Sequence, residues 1–134
     1  MRRSSSIASA ALAVIVLGGG AAAADQVSFS AQIQPIFDQN CVVCHAKGAE
    51  SGGLNLTKRK VYKSLVGTKS TEAPLNRVEP GDPAKSYLIH KLDGSYKAVG
   101  GTGDPMPKMD IPHPLAASDI ALITQWIAEG APNN

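Results

Sequence analysis

Apolar side chains recur along this chain in short clusters at helical spacing, separated by polar stretches rich in glycine and proline. Nowhere do they alternate in the period-two pattern of a half-buried strand. Phe29, Ile33, Ile36 and Phe37 share one helical face, with Pro35 in the opening turns, so a first helix is predicted over residues 30–40. Residues 46–55 hold Gly48, Gly52 and Gly53 and predict a loop. A short second helix is expected over 58–66. In Glu79-Pro80-Gly81-Asp82-Pro83, two prolines surround a Gly-Asp pair. That arrangement predicts a turn opening a third helix over 83–92, with Asp82 as N-cap and Pro83 as first helical residue. Residues 94–109 are again rich in glycine and proline and read as irregular. The clearest pattern is the last, in which Ser118 can cap a helix, Ile120, Ile123, Trp126 and Ile127 form its apolar stripe, and Gly130 stops it. The expected fold class is all-α, three to five helices with long loops, without repeats or a second domain.

The first 24 residues have a different character. Arg2 and Arg3 precede an apolar run over 7–17, and Ala22-Ala23-Ala24 offers small residues for cleavage before Asp25, the layout of a secretory signal peptide. The run holds Ser9 and ends at Gly18-Gly19-Gly20, well short of the roughly 20 apolar residues of a spanning helix. The expected division is a signal peptide over 1–24 and one domain over 25–134, exported to the periplasm with no stable membrane insertion after cleavage. Lys and Arg number 13 against 11 Asp and Glu, and the excess is Arg2 and Arg3. A domain so balanced is not expected to bind nucleic acid.

The only two cysteines lie in Cys41-Val42-Val43-Cys44-His45, and C-x-x-C-H is the attachment signature of a c-type haem. Two thiols three positions apart on one turn can each add to a vinyl group of the same porphyrin, while the adjacent imidazole lies beneath the iron as proximal ligand. A thioredoxin-like dithiol, a disulfide or half a zinc site would share the C-x-x-C pair. The first lacks its βαβ context here, and zinc lacks a second ligand pair, since the remaining histidines are only His90 and His113. One covalent haem is therefore expected, and its flat apolar surface would complete the core of a small, loop-rich chain.

The distal iron position has few candidates. Met106 and Met109 lie in Gly103-Asp104-Pro105-Met106-Pro107-Lys108-Met109, where a methionine has less reason to be core than on an apolar helical stripe. Met106 is the expected ligand because Pro105 and Pro107 fix the loop around it. Met109 is its competitor, and His113 would give bis-histidine ligation. His90, within a predicted helix, reads as a surface or packing residue.

The chain resembles the small single-haem c-type cytochrome domains of bacteria. The likeness rests on Pro35-Ile36-Phe37, Cys41 to His45, Gly52-Gly53-Leu54-Asn55-Leu56, Val78-Glu79-Pro80-Gly81-Asp82-Pro83 with Ser86 and Leu88, Met106-Pro107, Leu115, Ile120, Ile123, and Trp126-Ile127-Ala128-Glu129-Gly130-Ala131, in that order. It implies a cytochrome c-type fold in which the first and last helices cross and the haem sits between loops. It also favours Met106 over Met109.

Together these features lead to the expectation of a periplasmic electron carrier rather than an enzyme in its own right. Cys41 and Cys44 would hold the haem, His45 and Met106 would ligate its iron, and Val78, Leu54 and Trp126 would pack the haem or the core. The expected partners are redox proteins, whether dehydrogenase, reductase or oxidase. Lys47 and Lys108 would flank the haem edge, with Lys58-Arg59-Lys60 and Lys63 as a second basic cluster. Two alternatives remain open at this level. One is a five-coordinate haem protein acting as sensor or peroxidase, and the other is the haem subunit of a dehydrogenase complex.

Overall fold

The computed structural model describes residues 25–47, 51–108 and 115–134, so the expected signal peptide, Met109 and His113 lie outside the described residues. Among the described residues four α-helices carry most of the regular structure: α1 (Gln34–Asn40), α2 (Val61–Leu65), α3 (Tyr87–Asp93) and α4 (Ala117–Ala128). Among the described residues there is no sheet. Isolated bridges join Val66 to Val78, Lys69 to Asn76 and Asn76 to Ser86. No described helix is long and apolar enough to cross a membrane.

The first helical segment begins earlier than its apolar pattern suggests, and in a wider form. Ser28 caps it by accepting from the Ala31 N–H at 3.3 Å, and residues Phe29–Ile33 form a π-turn that runs directly into α1. The Ser28 carbonyl accepts from both Gln32 and Ile33. Pro35, in the first turn of α1, has no N–H to give and would crowd the carbonyl one turn back, so widening the turn before it relieves both constraints.

The predicted helix over 83–92 is two elements. Asp82 does cap a turn at Pro83, its carboxylate accepting from the Lys85 N–H at 3.1 Å, but that turn is a 3-10 turn ending at Lys85. Ser86 is extended and fully buried. The next two N–H groups, of Tyr87 and Leu88, donate to the carbonyls of Asn76 and Arg77 rather than back along a helix. The Ser86 hydroxyl accepts from the Glu79 N–H at 2.9 Å and donates to the Asp82 carbonyl at 2.9 Å, stitching the turn to itself before α3 starts. α3 ends at Gly94, whose φ of +83° is a left-handed conformation that suits glycine.

α4 begins at Ala117 with Ala116 in the capping position and no side-chain cap, so Ser118 lies inside the helix instead of starting it. Its apolar stripe is the centre of the core. Ile123, Trp126 and Ile127 are fully buried and pack with Phe29, Ile33, Phe37, Val61, Leu65 and Val78. The Phe29 ring lies 5.1 Å from that of Trp126, and its edge meets Tyr62 at 5.7 Å. The Pro80-Gly81 turn docks on the end of α4 through a 2.8 Å bond from the Gly81 N–H to the Ile127 carbonyl.

Candidate functional site

The cysteine motif emerges where α1 runs out. The Asn40 side-chain amide donates to the Ile36 carbonyl at 2.8 Å, and Cys41 departs from helical geometry with φ of −127°. The N–H groups of Cys44 and His45 both donate to the Cys41 carbonyl, at 3.1 and 2.9 Å, so one tight turn carries both thiols and the imidazole. The His45 carbonyl accepts from the Leu56 N–H at 2.7 Å and ties this turn to the chain that follows the glycine-rich loop.

The two sulfurs differ in setting. Cys44 is exposed, whereas Cys41 packs against the core. Burial, reinforced by the neighbouring Cys44 sulfur, pushes the Cys41 thiol up from 9.0 to about 12. A thiol held protonated is a poor redox nucleophile and a poor zinc ligand. Among the described residues no three His, Cys, Asp or Glu side chains are grouped to hold a metal ion.

Cys41, Cys44 and His45 line a cavity of about 490 Å³, within the range of small-molecule and cofactor sites. Leu54, Leu56, Leu88 and Leu92 supply much of its wall, and Met106, Pro107 and Lys108 reach it from the later loop. A smaller chamber of about 70 Å³ shares His45, Leu54, Glu72, Leu88 and Met106 and adds Ser70, Arg77, Tyr87 and Lys91. The larger space thus has a mostly apolar wall bearing two thiols, an imidazole and a thioether, and the smaller chamber, also mostly apolar, adds Arg77 and Lys91 beside Glu72. These are residues that a flat apolar macrocycle with charged substituents would fit, because a porphyrin brings four equatorial nitrogens and asks the protein only for axial ligands.

Of the packing residues expected from the sequence, Leu54 lines both chambers, whereas Val78 and Trp126 are fully buried core. His90 is at the end of α3, with Nδ1 2.6 Å from the Ser95 hydroxyl and Nε2 2.8 Å from the Ala84 carbonyl, a packing role. Lys58, Arg59, Lys60 and Lys63 are exposed. Lys108 pairs with Asp104 at 3.2 Å, so its charge at the rim is partly offset.

The sequence pattern gave little notice of the charged residues of the smaller chamber. Lys91 is only 7% exposed, and its ammonium donates to the carbonyls of Thr102 and Asp104 at 2.9 and 2.8 Å and meets Glu72 Oε2 at 2.8 Å. It also lies 5.4 and 4.9 Å from the ring centres of Tyr87 and Tyr96. Arg77 donates to the carbonyls of Ser64 and Gly52, and burial lowers its pKa, with Glu72 acting in the other direction. A lysine in a helix ordinarily reads as solvent-facing. The available signal is its place four residues after Tyr87 and three after Leu88, on the face that α3 buries.

The chain matches no family model, and no curated protein matches it in sequence. Among solved structures it is similar to a chain of hydrazine synthase from Kuenenia stuttgartiensis, with a TM-score of 0.50 and 20% identity, over 78% of this chain and 16% of that one. The likeness bears on the fold alone, and this chain corresponds to a small part of that larger protein.

Proposed function

We propose that this protein is an exported, monohaem c-type cytochrome that passes single electrons between redox proteins. The observation that carries the reading is the convergence on one largely apolar cavity of the Cys41–His45 turn and Met106, which are far apart in sequence. Cys41 and Cys44 would hold the haem by thioethers, with His45 as proximal and Met106 as distal iron ligand. When bound, the haem supplies an iron that cycles between ferric and ferrous, and a thioether ligand favours the ferrous state.

The chain's own residues account for the rest. Leu54, Leu56, Leu88 and Leu92 give the cavity its apolar wall, and Arg77 and Lys91, with Glu72, line the smaller chamber that shares Leu54, Leu88 and Met106 with it. Burial raises the Cys41 thiol pKa, which argues against a dithiol redox site. Export to the periplasm rests on the signal-like residues 1–24.

The test is to produce the full chain in a host able to attach c-type haem, and to stain a denaturing gel for haem. Haem that migrates with the polypeptide, is lost from the Cys41→Ala, Cys44→Ala double variant and titrates reversibly with one electron is expected. A chain that takes up no covalent haem would overturn the proposal.

A further inference from the structure

Lys91 is built into the structure as a cationic knot beneath the loop that carries Met106. An ammonium has three protons to donate. The three acceptors around this one come from two separate segments: Glu72 Oε2, and the carbonyls of Thr102 and Asp104. The Lys91 backbone completes the arrangement, because its carbonyl accepts from the Met106 N–H at 2.8 Å. Thr102 is held a second time, its N–H donating to the Glu72 carbonyl at 3.1 Å.

The loop's glycines fit this reading. A Cβ at Gly103, where φ is +78°, would lie 3.1 Å from Glu72 Oε1 and 3.2 Å from Lys91 Nζ. One at Gly101 would lie 2.5 Å from the Tyr87 hydroxyl and 2.7 Å from the Tyr96 carbonyl. Residues 101–106 are thus drawn down onto α3 at closest approach, with the knot at the centre and Met106 at its edge beside the cavity.

We propose that Lys91, held by Glu72, is the positioning residue that latches the Met106 loop and so keeps the thioether on the iron. This rests on Met106 being the distal ligand. Its consequence concerns ligand exchange: with the latch released, the iron–sulfur bond opens more often and an external ligand enters the position Met106 leaves.

The experiment compares the ferric holoprotein with its Lys91→Met and Glu72→Gln variants. It follows three signals: the methionine-sulfur charge-transfer band, the rate at which imidazole replaces it, and hydrogen exchange at the Met106 amide. Loss of hydrogen bonds to a charged group corresponds to about tenfold or more in an opening equilibrium. Imidazole entry should therefore accelerate by about that factor in Lys91→Met and by less in Glu72→Gln, which keeps both carbonyl bonds, with faster Met106 amide exchange in each. Tyr62→Phe removes a 2.7 Å bond to the Ala131 carbonyl away from the loop and serves as a control for general destabilisation. It should leave the imidazole rate unchanged. If Lys91→Met does not fold, Glu72→Gln decides the matter by the same measurements. Rates in the variants equal to wild type, or an equal acceleration in Tyr62→Phe, would overturn the latch while leaving Met106 as ligand. Absence of the sulfur band from the unaltered holoprotein would overturn the ligand assignment, and the latch with it.

Discussion

At the scale of single residues, the chemistry of the motif is local and the support beneath it is not. Cys41, Cys44 and His45 need only one turn of backbone to line one cavity, so spacing alone brings them together. The spacing of Lys91 on α3 hinted at its burial, but its partners were not legible, because they belong to residues 72, 102 and 104 and only the folded chain assembles them. Trp126 is fully buried, and its indole N–H donates to the Pro132 carbonyl at 2.9 Å. Trp126→Ala should lower the unfolding free energy by about 3–5 kcal/mol in denaturant titration, as for other large aromatic truncations. A loss under about 1 kcal/mol would contradict its place at the core's centre. The raised Cys41 pKa has a pH consequence in the haem-free folded chain. A thiol favoured in its protonated form contributes stability fully below pH 9.0 and loses it as pH rises toward about 12. Alkylation at neutral pH should therefore mark Cys44 and spare Cys41, read by mass spectrometry. Equal labelling of both in the folded state would count against the burial of Cys41.

At the scale of elements, apolar stripes marked α1 and α4 and the Pro80–Pro83 turn marked the approach to α3, while local hydrogen bonding moved the helix ends. The stripe of α4 was legible because it is uninterrupted, whereas its start depends on backbone geometry at Ala116 that Ser118 does not control. The interruption at Ser86 was not legible, since it arises from Asn76 and Arg77 taking the N–H groups that a continuous helix would use. Asp82 makes the preceding turn sensitive to acid. Its side-chain bond to Lys85 is the main reason its carboxyl lies below the ordinary value, with the Lys85 N–H and charge adding to it. A depressed carboxyl contributes stability above its ordinary pKa and loses it as pH falls through the folded value. The difference in melting temperature between wild type and Asp82→Asn should thus shrink steadily below about pH 4. A difference that holds constant into that range would show the carboxylate to be uninvolved. Gly101→Ala tests the descent of the later loop onto α3. The added methyl has to displace Tyr87 or the Tyr96 backbone, and a loss of about 1–3 kcal/mol is expected, as for other overpacked sites. Full retention of stability would mean that the loop approaches less closely.

At the scale of the molecule, the two ends of the described chain are joined around the core. The Asn134 side chain accepts from the Phe29 N–H at 2.7 Å and its carbonyl accepts from the Ser30 N–H at 2.8 Å, while the Glu129 carboxylate accepts from the Val27 N–H at 2.8 Å. This closure fixes the π-turn and α1, and through them the turn that bears the cysteines and His45. From the other side, α3 and the Lys91 knot fix Met106. The candidate site is the place where these two independently braced parts meet, and the cavity between them is a feature that the sequence pattern does not draw. The central claim is that the meeting place holds a covalent haem with Met106 on its distal side. Optical spectra of the purified holoprotein in both oxidation states, with and without carbon monoxide, test it most directly. Ferrous c-type bands, a ferric methionine-sulfur charge-transfer band that disappears in Met106→Ala, and no carbon monoxide binding by the unaltered protein are the predicted result. A preparation without haem, or one that lacks the sulfur band and binds carbon monoxide rapidly, would contradict it.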